Sequence, residues 1–288
     1  MSAGQRVQRV CKPAEPARSQ LGANSAPALP TRPVTQISSS SMTTEWDAAT
    51  YDRVANPQAR WGIAVVDRLA LRGDERVLDA GCGSGRVTEV LAERLPSGRV
   101  VALDASAAML SEARRRLERF ADRIEFVHAD LQQPLPVDPP VDAILSTATF
   151  HWVPDHARLF RNLAAVLRPG GWLIAQCGGK GNIATLERVL AEMGYPGVER
   201  SFASPEETAE RLDAAGFTNI ETWLSDEPTR FEPGWPFEDF LETVCLREHV
   251  ATMSAGDRHA FARSVAERMP GPLLDYVRLN ITAQRGPD

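Results

Sequence analysis

Residues 77–85 of the chain read Val-Leu-Asp-Ala-Gly-Cys-Gly-Ser-Gly, a short apolar run followed by glycines at alternate positions. The apolar run has the length and composition of a buried strand. Glycines directly after such a strand allow the chain to turn tightly, and their missing side chains allow a ligand to approach the backbone where the next helix begins. The segment therefore predicts a strand–turn–helix unit that binds a small ligand.

Carboxylates follow three successive predicted strands. Asp104 ends the second strand, where a carboxylate can accept hydrogen bonds from both hydroxyls of a ribose. Asp130 ends the third strand, where it can accept a hydrogen bond from an adenine amino group. Asp79 directly precedes the glycines, where it would repel a pyrophosphate and suits a cationic ligand instead. Because Arg86 also stands where a dinucleotide fingerprint has its third glycine, the pattern favours an adenosine-type ligand with a positive charge over a dinucleotide.

From residue 75 onward, strand-like and helix-like segments alternate, which is typical of a parallel sheet covered by helices on both faces. The predicted strands are 77–79, 99–103, 124–127, 141–145, 172–176, 220–224 and 276–283. Two insertions interrupt the alternation, at about 178–203 and 226–273. The second contains Phe237, Phe240 and Leu241 at helical spacing. We expect both insertions to form a small helical cap over the ligand end of the sheet, where a cap completes a substrate pocket.

The composition limits the class of protein. The chain has 288 residues, 43% hydrophobic and 24% charged, which is ordinary for a globular protein, and no apolar run approaches the ~18 residues of a membrane span. The net charge of −6 disfavours nucleic acid as a partner. Four widely separated cysteines suggest neither a metal site nor a disulfide framework. We expect a cytoplasmic monomer or homodimer that acts on a small molecule, without a metal and without nucleic-acid or membrane partners.

The first part of the chain differs from the rest. Residues 1–41 are rich in proline and serine and show no hydrophobic periodicity, which predicts a disordered tail. Their arginine-rich, acid-poor composition is also compatible with a targeting segment. A single catalytic domain is expected at 42–288.

Four segments resemble the successive motifs of class I S-adenosylmethionine-dependent methyltransferases: 77–85, 103–106, 129–131 and 167–173. The resemblance implies an α/β fold with a seven-stranded doubly wound sheet of order 3-2-1-4-5-7-6, the last strand antiparallel, and S-adenosylmethionine across the carboxyl ends of the first strands. It also implies that Asp79 faces the ammonium end of the cofactor, Asp104 the ribose and Asp130 the adenine. The full set of cofactor-binding residues that it implies is Asp79, Gly81, Cys82, Gly83, Gly85, Asp104, Ala105, Met109, Asp130, Leu131 and Thr147.

Within that family, residues 146–156 and 46–51 are similar to the trans-aconitate methyltransferase group. This similarity implies methyl transfer to a carboxylate or hydroxyl oxygen of a small molecule. His151 would then contact the acceptor or act as a base, and a purely structural histidine is the alternative. The residues predicted to contact the acceptor are Trp46, Tyr51, His151, Trp152, Arg230, Trp235 and Arg247.

Three other functions remain open from the sequence. The first is a carbon- or nitrogen-methyltransferase that acts on a natural-product scaffold. The second is a domain that binds the cofactor for regulation without catalysis, which the intact Asp79, Asp104 and Asp130 disfavour. The third is an NAD-dependent dehydrogenase, which the carboxylate before the glycines disfavours.

Overall fold

A computed structural model of the chain describes residues 56–287 except 196, 197 and 199. The predicted tail at 1–41 and the predicted acceptor residues Trp46 and Tyr51 lie outside the described residues. The central strand β1 (Arg76–Ala80) is parallel to its two neighbours, β2 (Arg99–Asp104) and β4 (Val141–Thr147). Both of its faces are covered, so Val77, Leu78 and Ala80 are buried.

Seven strands form one sheet in the order β3-β2-β1-β4-β5-β9-β6, where β3 is Ile124–His128, β5 is Leu167–Gly178, β6 is Phe217–Asp226 and β9 is Val277–Arg285. The strand β9 runs antiparallel to both β5 and β6. This confirms the predicted α/β fold, its strand order and the antiparallel last strand. Two further short strands, β7 (Thr229–Arg230) and β8 (Leu273–Leu274), pair with each other outside the main sheet.

Helices cover both faces of the sheet. They are α1 (Asn56–Val66), α2 (Arg86–Arg94), α3 (Ala107–Arg116), α4 (His156–Val166), α5 (Ala184–Glu192) and α6 (Pro205–Ala214). Successive residues of a strand point to opposite faces. Accordingly, Leu78 packs with Phe160 and Leu163 of α4 in one core cluster, whereas Val77 packs with Leu91 of α2 in the other.

The fifth strand begins earlier than the sequence predicted. It starts at Leu167 rather than at Trp172, and its pairing with β4 shifts register between Val141 and Ala143. Gly171 lies against the backbone there, since a Cβ at this position would come within 2.7 Å of the carbonyl oxygen of Asp142. A glycine pair that reads as a helix stop is therefore part of a strand.

The two insertions pack together in a third core cluster. The second insertion forms α7 (Trp235–Phe240), a π-helical turn (Leu241–Cys245), α8 (Arg247–Val250) and α9 (Ala255–Ala266). Phe237, Phe240 and Leu241 pack there with Leu186 of α5, and Trp61 of α1 joins the same cluster. We call this cluster the helical cap. None of the described helices has the length and apolar character that a membrane span requires.

Gly98 permits β2 to pair with β1. A Cβ at Gly98 would overlap the carbonyl oxygen of Glu75, which accepts the hydrogen bond from Arg99 N–H at 2.9 Å. We expect Gly98→Ala to lower the free energy of unfolding by ~1–3 kcal/mol, because overpacking against backbone has no flexible neighbour to yield. Gly256→Ala is the matched control: it lies in α9 with open space around it, and it should leave stability unchanged or raise it by up to ~1 kcal/mol. Urea unfolding of both variants measures the change in the free energy of unfolding. Equal changes in the two variants would contradict the close contact inferred at Gly98.

Candidate functional site

The glycine turn lies directly beyond the carboxyl end of β1. Gly81, Gly83 and Gly85 all have positive φ, at 87°, 53° and 82°. The N–H groups of Gly81 and Cys82 donate to the carbonyl oxygen of Leu103 at 2.8 and 2.9 Å, which anchors the turn to β2. A Cβ at Gly81 would overlap the side chain of Thr149, whereas a Cβ at Gly83 would meet nothing within 4 Å. The turn is therefore packed at Gly81 and open at Gly83.

Asp79 carries a buried carboxylate with an unsatisfied oxygen. The hydroxyl of Thr88, in the first turns of α2, donates to Oδ2 at 2.7 Å. Among the described residues, Oδ1 has no hydrogen-bond partner. Burial raises the pKa of Asp79 to about 7, and the negative charge of Asp104 acts in the same direction against the hydrogen bond from Thr88. A buried carboxylate without compensation is costly, so this geometry fits a cationic ligand.

Asp104 joins the glycine turn to the start of α3. Its Oδ2 accepts from Gly83 N–H and its Oδ1 accepts from Ser106 N–H, both at 2.8 Å. Burial raises the pKa of Asp104, although the hydrogen bonds from Ser106 and Gly83 oppose that shift. The carboxylate is thus held rigidly next to the open side of Gly83, and each oxygen retains a lone pair for a ligand hydroxyl.

The other residues predicted for the cofactor lie along the same edge of the sheet. Asp130 follows β3 and accepts from Gln132 N–H at 2.9 Å. Leu131 and Met109 are buried, and Ala105 directly follows β2. Thr147 ends β4, and its carbonyl oxygen accepts from the Thr149 hydroxyl at 3.0 Å.

A cavity lies between the carboxyl ends of β4 and β5 and the helical cap. Its lining residues come from both insertions and from the two strand ends: Ala148, His151, Trp152, Asn182, Ile183, Arg200, Phe202, Val244, Cys245, Tyr276 and Arg278. Two of them, Ala148 and Ile183, have positive φ, at 55° and 51°. Such backbone conformations are rare for residues other than glycine, and for a β-branched residue they are a true outlier. Backbone strain of this kind is concentrated at functional sites, so it favours a functional role for this cavity.

Two arginines flank Trp152 at the cavity. The guanidinium carbon of Arg200 lies 5.0 Å from the centroid of the Trp152 ring, and that of Arg247 lies 5.6 Å from it. Arg200 also donates to the carbonyl oxygen of Cys245 at 2.6 Å and lies 3.5 Å from a carboxylate oxygen of Glu187. Burial lowers the pKa of Arg247. The side chain of Arg200 is only 5% exposed and that of Arg247 is 16% exposed, and Arg247 lies 3.8 Å from a carboxylate oxygen of Glu248, so each buried cation has a carboxylate beside it.

A third arginine enters the cavity from β9. Arg278 is 3% exposed, and its guanidinium carbon lies 4.7 Å from the centroid of the Trp61 ring of α1. Trp61 is itself oriented by its indole N–H, which donates to Glu227 at 3.3 Å, and by edge contact with Tyr276. The cation–π contact holds the guanidinium of Arg278 at the end of the sheet.

Two residues predicted to contact the acceptor lie elsewhere. Arg230 is exposed on β7, and Trp235 begins α7 with 60% of its surface exposed, against His259 on the outer side of the helical cap. Neither lines the cavity. The helical spacing that buries Phe237 rotates Trp235, two positions earlier, to the opposite side of the helix.

Sequence reasoning missed Arg200, Arg278, Tyr276 and Asn182 as cavity residues. Arg278 had one available signal, since it is a charged residue among apolar neighbours in a predicted strand. Arg200 had none. In the described part of the chain, no group of three or more His, Cys, Asp or Glu residues is arranged to hold a metal ion.

Comparison with known proteins identifies the family. A family model described as a methyltransferase domain matches residues 77–171. The trans-aconitate 2-methyltransferase of Acidovorax sp. (strain JS42) is 37% identical over 261 residues, which cover 84% of this chain and 99% of that protein. The trans-aconitate 2-methyltransferase of Methylobacterium nodulans is 35% identical over 181 residues, 63% of this chain and 67% of that protein.

A solved structure supports the fold. Phosphoethanolamine N-methyltransferase 2 of Haemonchus contortus, in complex with phosphomonomethylethanolamine and S-adenosylhomocysteine, matches with a TM-score of 0.58 at 19% identity, over 84% of this chain and 57% of that chain. At this identity the likeness shows the fold alone. Together with the relatives and the geometry of the glycine turn, it leads to one conclusion: the chain belongs to the class I S-adenosylmethionine-dependent methyltransferases and is similar to the trans-aconitate methyltransferase group.

Proposed function

We propose that the chain methylates a carboxylate oxygen of a small organic acid of the trans-aconitate type, with S-adenosylmethionine as methyl donor. The observation that carries this proposal is the arginine-lined cavity beside the glycine turn. Arg200 and Arg278 line this cavity and are largely buried, and an anionic ligand would add to the compensation of their desolvation. Arg247 lies against Trp152 but does not line the cavity. The names of the relatives support the same acceptor class.

The residues of the glycine turn fit the donor. The unsatisfied Oδ1 of Asp79 would accept from the ammonium group, and Asp104 would accept from the ribose hydroxyls. The open side of Gly83 leaves room for the methionine part, while Asp130 and Leu131 would hold the adenine with Met109 against the ring. Cys82, Gly85, Ala105 and Thr147 would border the cofactor. S-adenosylmethionine supplies a methyl group that its sulfonium makes electrophilic.

The remaining work of the protein is alignment and exclusion of water. Arg200 and Arg278 would hold carboxylates of the acid, because guanidinium groups match carboxylate geometry with paired hydrogen bonds. The aromatic walls provided by Trp152 and Phe202 would keep water out and strengthen these charge interactions. Well-oriented reactions can gain ~7–11 kcal/mol from proximity alone. An ionised carboxylate carries no proton at the attacking oxygen, so transfer to it requires no base.

The acceptor proposal is tested with arginine variants and a matched control. We expect Arg200→Ala and Arg278→Ala to raise KM for trans-aconitate by roughly 10- to 150-fold, as expected for the loss of a charged hydrogen bond. Arg230→Ala removes the same charge from the exposed strand β7 and should change nothing. The affinity for S-adenosylhomocysteine, measured by calorimetry, should be the same in all three variants.

The chemical class of the acceptor is tested directly. The wild-type protein is incubated with methyl-labelled S-adenosylmethionine and, in separate reactions, with trans-aconitate, a neutral phenol and a primary amine, and the products are identified by mass spectrometry. A labelled methyl ester from the acid is the expected product. Methylation of the phenol or the amine alone would overturn the proposal and favour a natural-product scaffold as the acceptor.

The pKa of Asp79 predicts a pH-dependent affinity for the cofactor. Because that pKa is about 7, the carboxyl gains a proton as the pH falls below 7. A cationic ligand then binds only if this proton is lost, which weakens its affinity. Between about pH 8 and about pH 6, the affinity of the wild type for S-adenosylhomocysteine should therefore fall. Asp79→Asn should bind more weakly at the higher pH and depend less on pH, since the carboxyl whose pKa is about 7 has been removed. A calorimetric pH slope that is identical in the two proteins would remove Asp79 from the site.

Two glycines of the turn should respond differently to alanine. At Gly85 a Cβ would come within 3.0 Å of Leu117 and 3.2 Å of Ala113, so Gly85→Ala should lower the melting temperature. At Gly83 the Cβ meets open space, so Gly83→Ala should lose only ~1–2 kcal/mol of stability through its positive φ. Its affinity for S-adenosylhomocysteine should nevertheless fall, because the methyl side chain of the introduced alanine would occupy space that the ligand needs. If Gly83→Ala bound the ligand normally, the cofactor would not lie on this side of the turn.

A further inference from the structure

The ring of His151 is fixed by the backbone of the neighbouring strand. His151 lies in the 3-10 turn Phe150–Trp152 that follows β4 and lines the cavity. The N–H of Gly178, the last residue of β5, lies 3.3 Å from Nδ1 and donates to it. Since Nδ1 accepts this hydrogen bond, the proton of the neutral ring resides on Nε2. Among the described residues, none forms a hydrogen bond with Nε2.

Aromatic neighbours hold the plane of the ring. The centroid of the His151 ring lies 5.8 Å from that of Phe202, with 26° between the planes, and 5.1 Å from that of Trp152. The carbonyl oxygen of His151 accepts from Ser201 N–H at 3.0 Å, which joins the turn to the first insertion. Gly178 must be a glycine here, because a Cβ would come within 2.7 Å of the Phe202 ring. The direction of the Nε2–H bond is therefore set before an acceptor binds.

The groups around the ring oppose its protonation. Arg278 of β9 and Arg200 of the first insertion line the same cavity as His151, and both are positively charged. His156 of α4 would add a further positive charge if it were protonated. Burial and these groups hold the pKa of His151 well below its ordinary value. The thiol of Cys177 on β5 is no counter-charge, because burial raises its pKa to about 11.

We propose that His151 contacts the methyl acceptor as a neutral hydrogen-bond donor through Nε2–H, and not as a general base. The inference rests on the proposed function, since it assigns a role in the acceptor cavity. A fixed donor in a cavity that two buried arginines also line favours an acceptor whose oxygen is already ionised when it binds. An alcohol or a phenol, which must lose a proton to react, finds no acceptor for it on this ring. His151 thereby becomes a residue that selects carboxylic acids over hydroxyl compounds.

Two substitutions separate a donor from a base. In His151→Gln the side-chain amide can donate from close to the Nε2 position but cannot take up a proton, and turnover of trans-aconitate should stay within about fivefold of wild type. In His151→Phe the ring packing is kept and the donor is lost, and KM for the acid should rise roughly tenfold or more. A general base would instead lose about 10²- to 10⁴-fold in kcat in both variants. His259→Gln, on the outer side of the helical cap, is the matched control and should behave as wild type.

The tautomer of His151 can be determined without measuring turnover. Long-range nitrogen–proton NMR spectra of the protein, with His151→Gln used for assignment, should show a neutral ring with the proton on Nε2 throughout the range of about pH 5.5 to about pH 8. The pH profile of kcat, measured at saturating cofactor and acid, should likewise be the same in wild type and His151→Gln over that range. A charged ring, a proton on Nδ1, or a difference between the two pH profiles overturns the proposal. If the NMR result holds while only a phenol or an amine is methylated, the proposed acceptor and the selection of acids by His151 are both wrong, and only the assignment of the tautomer stands.

Discussion

The buried carboxylate of Asp79 constrains the ligand end of the sheet more than any other group. It ends a strand that is covered on both faces, it receives one hydrogen bond from Thr88, and its other oxygen is unsatisfied. A negative charge in such a position is costly unless a positive charge compensates it. The glycine turn beside it leaves space at Gly83, so the charge and the space for a cationic cofactor occur together.

The acceptor side has the opposite electrostatic character. Arg200 and Arg278 are buried among aromatic side chains, and the pKa of the nearby Glu187 is raised by burial despite its contact with Arg200. Burial of a cation costs desolvation, which a bound anion would help to offset. The chain as a whole is acidic, with a net charge of −6, so attraction for the proposed acid would have to be local to this cavity.

The fold was predictable because it follows from local order in the chain, and the fold in turn places the carboxylates that were predicted to bind the cofactor at one edge of the sheet. Asp79 lies one residue before the end of β1 and Asp104 ends β2, and the carboxyl ends of these parallel neighbours meet at one edge of the sheet. The acceptor half was less predictable, because Arg200 and Arg278 are distant in sequence and meet only through the packing of the insertions on β9. Trp235 was assigned to the cavity on its residue type alone, although its spacing from Phe237 turns it outward.

The segment after β4 connects the two halves of the site. The hydroxyl oxygen of Thr149 lies 3.3 Å from the carbonyl oxygen of Gly81, so this residue contacts the glycine turn. Two positions later, His151 faces the arginine-lined cavity. A cationic donor held by carboxylates and an anionic acceptor held by arginines would therefore meet across this short turn, and their opposite charges would favour the approach that methyl transfer requires. The positive φ of Ala148, at the point where the chain leaves β4, is a local strain that would be explained if this one turn contacted both proposed ligands.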